Sequence, residues 1–406
     1  MAERLEAYSD FEDCGYYIVG TGKLFLSQGK KLKNIYPLIY STQNLIYSQY
    51  TAQKGKAGRR EVENFNENLS ENLANLYEIL RDGTYIPGKY KKKIIYEPKE
   101  RVIMIAPFYP DRIIHHCIIN VLGPHWVHLF IANTYACIKG RGIDKCINDV
   151  NKALMSDRKN TQYCLKTDIK KFYDNVDHEA LKSIIRLTIA DERLLVLIDT
   201  IIDSNGQKKG LVIGSFTSQY FANLYLTPFD HWVKEGLSAI VMDKFGVTFY
   251  YFRYMDDMVV LCSDKEALHF ILDMMGLYLG AELKVEFKHN WQIFKVDDRC
   301  IDYVGVKQSH YGILLRKSIL LRFYKKLEKT QKKYIIKDEN DIKHLFPSEY
   351  GWIIKCSDKH KQFIFNKCYN NGKDKHFNDG SVVEDKAAGN RRLEQRTGNV
   401  PLQPQH

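Results

Sequence analysis

The stretch FRYMDDMVVL, residues 252–261, sets two carboxylates, Asp256 and Asp257, side by side in an otherwise apolar, strand-like run. As local structure this is the turn of a hairpin with arms FRYM and MVVL, because Asp tolerates turn geometry. Three other segments give the pair a chemical reading. Upstream, YCLKTDIKKFYDNVDH is an apolar strand that delivers Asp168 at its end, followed by a basic pair and the aromatics Phe172 and Tyr173. Between the two acidic segments, GLVIGSFTSQYFANLYL places Gly210 and Gly214 on either side of a tight turn that opens a helix; downstream, LKVEFKHNWQIF supplies Lys288. A strand-end Asp facing a hairpin Asp pair suits transfer of a nucleotidyl group onto a hydroxyl. There, two Mg²⁺ ions about 3.5–4 Å apart serve the nucleophile and the leaving pyrophosphate. Mg²⁺ prefers hard oxygen ligands and takes only one or two protein carboxylates each. Outside a metal site, three converged carboxylates would repel one another and raise their own pKa values.

The elements that must position these groups can be read from periodicity. Residues 163–168, 248–252 and 258–262 are strand-like, and 111–130 and 178–202 are helical in pattern. From 62 to 82, Leu69, Leu73, Leu76 and Leu80 recur at helical spacing and predict an amphipathic helix ending at Gly83. The runs YKKKIIYEP and RVIMIAP predict a basic hairpin. After 311 the character changes: RKSILLRFYKKLEKTQKKYIIK puts Ile319, Phe323 and Leu327 on one helical face and Arg322, Lys325, Lys326, Lys329, Lys332 and Lys333 elsewhere, with Ser318 as N-cap. That face is either a solvated basic surface or a helix lying along a phosphate backbone. A further helical stretch, 349–368, follows Pro347. Residues 1–32 read as a small hairpin or arm, and the polar run from about 373 onward as a disordered tail. Helices and strands mix without a strict βαβ rhythm, which predicts an α+β architecture.

Composition sets the outer bounds. The chain has 406 residues, is 45% hydrophobic, and carries 60 Lys plus Arg against 49 Asp plus Glu, a net +11 that favours a polyanionic partner such as nucleic acid. Nine cysteines are scattered singly, which predicts reduced thiols in a cytoplasmic compartment. His115, His116 and Cys117 look metal-like, but three adjacent residues cannot all face one ion from a regular helix. No signal peptide opens the sequence, and the most apolar stretch, 113–138, is broken by His116, Pro124, His125 and His128, so no membrane span is expected.

YMDD after an aromatic-flanked strand, preceded by D-x-x-x-[FY]-[FY] and a G-x-x-x-S turn in that order, resembles the palm of a reverse transcriptase. The likeness runs from about Leu32 to about Tyr369. Its LKNIYPLIYSTQNLIYSQYTAQKGK and EILRDGTYIPGKYKKKIIYEPKERVI segments are similar to those of bacterial enzymes related to group II intron reverse transcriptases. Where most such relatives have Q-G-x-x-x-S-P, this chain has Ile213-Gly214-Ser215-Phe216-Thr217-Ser218-Gln219, a form that resembles the reverse transcriptases of diversity-generating retroelements. These copy a template-repeat RNA into mutagenised DNA.

The resemblance implies a right-hand polymerase fold. Its parts would be an N-terminal extension (1–32), an N-terminal and fingers region (33–162), a palm (163–311), a helical thumb (312–372) and a tail (373–406). It implies Asp168 and Asp256 as ligands of two Mg²⁺ (or Mn²⁺) ions, joined by the Ile169 carbonyl, with Asp257 in support and Lys288 as proton donor to pyrophosphate. Arg101 would grip the triphosphate, Tyr173 would gate against a 2′-hydroxyl, and Ile213, Gly214, Ser218 and Gln219 would line the nucleotide site. Tyr173 as a core residue, and Arg101 and Lys288 as surface cations, are the plainer alternatives. Ile213 stands where relatives carry an amide, which implies relaxed discrimination against mispairs. Ile138 stands where they carry an Arg, a gap that Lys139 or Arg141 could fill. Implied partners are template RNA, the RNA/cDNA duplex, deoxynucleoside triphosphates and a basic, oligomeric, helical accessory protein. The rival functions are a reverse transcriptase of an antiviral defence system and a non-catalytic RNA-binding relative. No endonuclease-like Cys/His cluster follows the thumb, which disfavours a mobile intron enzyme.

Overall fold

The computed structural model describes residues 30–96 and 100–369; the side chain of Arg101, most of the N-terminal extension and the tail from 373 lie outside the described residues. The chain divides into two compact units, Met1–Ile293 and Phe294–His406.

The first unit is built on β3 (Tyr163–Asp168), β4 (Phe249–Tyr254) and β5 (Asp257–Cys262), in a sheet of order β4-β5-β3-β6 whose last strand, β6 (Gln292–Lys295), spans the boundary between the units. Its central strands are antiparallel to one another, and β5, with five of its six residues buried, is the most enclosed. A separate two-stranded ladder pairs β1 (Lys91–Ile95) with β2 (Arg101–Ile105), Lys91 opposite Ile105, which is the basic hairpin expected from the alternation.

Helices cover this framework: α1 (Thr42–Ala52), α2 (Leu69–Asp82), α3 (Ile113–Leu129), α4 (Gly142–Ser156), the single turn α5 (Phe172–Asn175), α6 (His178–Thr188), α7 (Glu192–Ile202), α8 (Phe216–Trp232) and α9 (Lys265–Leu283). α8 is buried along nearly its whole length and forms the axis of the core with α3, through Leu122, Trp126, Phe221, Leu224 and Phe229. The α+β class is therefore as the sequence predicts.

Boundaries differ in informative ways. The single helix expected over 62–82 is two, Arg60–Glu67 and α2, because Asn68 leaves helical geometry (φ −121°, ψ 44°). Gly83 does end α2, in the left-handed conformation at φ 69°, and its amide reaches back to the Ile79 and Leu80 carbonyls. The 178–202 stretch also breaks in two, with Asp191 capping α7 by accepting from the Leu194 amide.

The second unit contains β7 (Ile301–Tyr303), β8 (Val306–Ser309) and β9 (Gly312–Leu315) in an antiparallel meander, then α10 (Lys317–Gln331) and α11 (Asp358–Tyr369). α10 buries Phe323 and Leu327 and exposes Arg322, Lys325, Lys326 and Lys329, as its pattern requires. Ser318 is not its cap: the helix starts one residue earlier, at Lys317, with Arg316 in the N-cap position. The stretch expected at 349–368 is two helices, Pro347–Ile353 and α11, with Pro347 inside the first turn of the former.

Candidate active site

β3 and β5 run antiparallel with Thr167 opposite Met258 and Asp168 opposite Asp257. Directly opposed residues of an antiparallel pair project from the same face. Asp168 and Asp257 are therefore neighbours, from positions 89 residues apart in sequence (257 minus 168). β4 pairs with β5 so that Tyr254 opposes Asp257, which leaves Met255 and Asp256 as a two-residue turn. The hairpin expected from the sequence is present with its turn one residue earlier, at Met255-Asp256, and Asp257 opens β5 beside Asp168. The Ile169 amide donates to the Asp256 carbonyl at 3.3 Å, tying the turn to the end of β3. Met255 sits at φ 58°, a conformation that Gly or Asn fills most easily in a hairpin turn.

Two lysines face the carboxylates. Lys288 Nζ lies 2.5 Å from Asp168 Oδ2, and the Lys288 amide donates to the Asp168 carbonyl at 2.8 Å. Lys166, two residues before Asp168 and hence on the same face of β3, places Nζ 3.9 Å from Asp257 Oδ2. Lys166 escaped the sequence reading, although its period-2 spacing from Asp168 was the available signal.

Tyr173, on α5, aims its hydroxyl at the Met255 sulfur, 3.7 Å away. Its carbonyl accepts from the Leu211 amide at 2.7 Å, so the Gly210–Gly214 loop is stitched to the segment that follows Asp168. Ile213 and Gly214 pack against β2. The Met104 amide donates to the Ile213 carbonyl at 2.8 Å, and a Cβ on Gly214 would lie 2.7 Å from Ile103 Cγ2 and 2.8 Å from the Met104 carbonyl oxygen. This close approach within the chain accounts for the glycine without any ligand. Ser218 is buried in the first turn of α8 and Gln219 is half-buried beside it. Arg101 opens β2 opposite Ile95. A cavity of about 700 Å³ lies between this hairpin and the loop, with Lys89, Lys92, Met104, Lys209, Leu211 and Ile213 among its lining residues.

Of the two candidates to fill the gap at Ile138, Arg141 has its Nη1 donating to the Ile131 and Thr134 carbonyls at 2.6 and 2.9 Å, while Lys139 is exposed. His115, His116 and Cys117 have separate surroundings. Buried His115 shares a hydrogen bond with Ser215 Oγ (3.0 Å), His116 stacks on Phe216, and Cys117 is buried in the core. Burial, aided by neighbouring cationic groups, pushes His115 down to about 3 and His116 down to about 4.

Beneath the turn lies a polar network that the sequence reading also missed. The Arg253 guanidinium and the Asp230 carboxylate are both fully buried and paired through Nε (2.7 Å) and Nη2 (2.5 Å). Tyr251 donates its hydroxyl to Asp230 at 2.8 Å, and burial together with that carboxylate raises the phenol well above its ordinary pKa. Removing one partner of such a pair leaves an uncompensated buried charge, at a cost of about 3–5 kcal/mol.

The donor set fits divalent cations in kind. Asp168, Asp256 and Asp257 offer hard oxygens, and Asp168 Oδ1 is buried with no hydrogen-bond partner. Among the described residues no three His, Cys, Asp or Glu side chains are grouped to hold an ion by themselves. One or two carboxylates per ion, with the remaining ligands from water and phosphate, is the ordinary pattern for Mg²⁺.

An antiparallel sheet thus presents Asp168 at one strand end against Asp256 and Asp257 of the neighbouring hairpin. Residues 90–307 match the reverse transcriptase (RNA-dependent DNA polymerase) family, more than half of the chain, and the protein belongs to that family. With membership comes the α+β right-hand fold expected from the sequence. Protein YkfC of Escherichia coli (strain K12) is 26% identical over 239 residues, covering 49% of this chain and 62% of its own. The group II intron-encoded protein LtrA of Lactococcus lactis subsp. cremoris is 21% identical over 202 residues, covering 47% of this chain and 33% of its own. The chain thus spans less than two thirds of the length of either. Among solved structures, apo telomerase from Candida Tropicalis is similar over 75% of this chain and 63% of its own, at 12% identity and a TM-score of 0.44. Among the described residues no helix is long and apolar enough to cross a membrane.

Proposed function

We propose that the chain is an RNA-directed DNA polymerase that extends a primer on an RNA template with deoxynucleoside triphosphates. The observation that carries this reading is the register of β3 against β5, which sets Asp168 opposite Asp257 with the Met255-Asp256 turn bonded to Ile169. In this reading Asp168 and Asp256, with the Ile169 carbonyl, would hold two Mg²⁺ (or Mn²⁺) ions, with Asp257 in support, and ions there would supply positive charge to the attacking 3′-oxygen and the leaving pyrophosphate. Lys288 is the proton donor to pyrophosphate, a role that requires its ammonium to leave Asp168. Tyr173 stacks beneath the sugar and excludes a 2′-hydroxyl. The cavity carrying Lys89, Lys92 and Lys209 has the charge to receive phosphates, and the resemblance assigns the triphosphate grip to Arg101. Ser218 and Gln219 complete the nucleotide side, and the exposed lysines of α10 follow the RNA/cDNA backbone.

Within the family, the Ile213-Gly214-x-x-x-Ser218-Gln219 form favours a diversity-generating retroelement enzyme. Its cDNA carries errors opposite template adenine, because Ile213 offers apolar surface where a hydrogen-bonding side chain would leave mispairs unsatisfied. A basic, oligomeric, helical accessory protein is its partner in copying the proper RNA.

The test is incorporation of labelled deoxynucleotides on a primed RNA template with Mg²⁺, comparing wild type with Asp256→Ala. Activity in the wild type, and its loss by at least a thousandfold in the variant with RNA binding intact, is the expected result. A wild type that binds RNA but incorporates nothing would leave a non-catalytic RNA-binding protein and overturn the proposal.

A further inference from the structure

We propose that Arg253 is a positioning residue for the polymerase chemistry, locking the turn that bears Asp256 and Asp257 to helix α8 and to the loop over residues 131–142. The inference rests on the polymerase reading above. The guanidinium uses every face at once. Nε and Nη2 hold Asp230 of α8; Nη1 donates to Asn223 Oδ1 of the same helix at 3.2 Å and to the Met255 carbonyl in the turn at 2.9 Å; and Nη2 reaches Thr134 Oγ1 at 3.4 Å. The backbone repeats the connection, since the Arg253 amide donates to the Asn133 carbonyl and its own carbonyl accepts from the Tyr135 amide. Asn223 extends it, donating to the Ala136 carbonyl at 2.9 Å.

Stability alone does not explain such an arrangement. A fully buried ion pair can be replaced by apolar side chains of similar volume with little loss of stability, so what this one supplies is sought in the geometry it fixes. The geometry in need of holding is the turn itself. Met255 at φ 58° occupies a conformation disfavoured for a side chain of its kind, and Arg253 bonds to that residue's carbonyl. One buried group therefore sets the strained turn with the Asp pair, the helix that follows the Gly214 loop, and the loop containing Ile138 and Lys139.

Two variants separate positioning from folding. Arg253→Lys keeps the charge but cannot grip Asp230 and the Met255 carbonyl together; the double change Arg253→Met with Asp230→Leu removes both buried charges. Each is assayed for the single-turnover rate of dNTP addition, normalised to the titrated active-site concentration, with affinities for template-primer and dNTP measured alongside. Positioning predicts a normalised rate at least thirtyfold lower in both, with affinities within twofold of wild type. It further predicts partial recovery when Met255→Gly is added to Arg253→Lys, because glycine adopts the turn without help. A merely structural role would lower the active fraction and leave the normalised rate unchanged. Normalised rates within threefold of wild type, no recovery with Met255→Gly, or failure of both variants to fold would each overturn the inference. An inactive wild type would instead overturn the polymerase reading, and this inference with it.

Discussion

Replacing Gly214 by Ala should cost far more than an ordinary glycine substitution, and the structure says how much and why. At φ 106° any L side chain is strained, a term of about 1–3 kcal/mol. The new Cβ would then meet Ile103 Cγ2 at 2.7 Å and the Met104 carbonyl oxygen at 2.8 Å, an overpacking of about 1–3 kcal/mol. Relief by withdrawing β2 breaks the Met104-to-Ile213 hydrogen bond, worth about 1 kcal/mol. Because that withdrawal is one way the overpacking is relieved, its cost falls within the overpacking figure, and the total is about 2–6 kcal/mol. Gly83 provides the control: its φ is 69° and a Cβ there meets nothing within 4 Å, so Gly83→Ala incurs the backbone term alone, about 1 kcal/mol. Amide hydrogen exchange at Met104 reads the local effect. If β2 bears about 3 kcal/mol of the penalty, exchange accelerates on the order of a hundredfold at 1.4 kcal/mol per decade. Adding Ile103→Ala should return part of the loss, a coupling expected of residues in contact. The reasoning fails if Gly214→Ala is no more costly than Gly83→Ala, or if Met104 exchange is unchanged.

Ile213→Gln should lower misincorporation opposite adenine severalfold when cDNA made on a defined RNA is sequenced; an unchanged error spectrum would refute the link between the aliphatic side chain and fidelity. Acid should destabilise the first unit through His115. Burial pushes it from the ordinary 6.5 down to about 3, so the unfolded chain binds the extra proton and stability falls as pH drops from about 6.5 toward 3. The loss is about 1.4 kcal/mol per pH unit. His115→Asn should flatten that slope in denaturant titrations between pH 6.5 and 4, and a slope equal to wild type would show that His115 is not its source.

The carboxylates were legible because strand ends and turns announce themselves locally: TD closing an apolar run, and YMDD between two such runs, need no knowledge of what lies opposite. The lysine-rich ladder of β1 and β2 and the Gly83 stop were legible for the same reason. What could not be read depends on pairing across the chain. Asp230 occupies an apolar helix and Arg253 an apolar strand; each looks like a surface charge until the two are found 2.5 Å apart with no exposure. Gly214 also lies against β2, more than a hundred residues earlier, a neighbour that no local pattern names. β7, β8 and β9, at three or four residues each, are too short to show alternation, and the splitting of the 62–82 helix turned on the backbone of one asparagine.

Lys288 is joined to Asp168 twice, by main chain and by ammonium, and only the second link opposes the proposed chemistry. Freeing the carboxylate thus requires no rearrangement of the polypeptide, merely rotation about bonds of one half-exposed lysine, a motion of picoseconds to nanoseconds for such a side chain. In the proposed chemistry, arming this centre is a matter of one side chain while the backbone that carries it stays fixed.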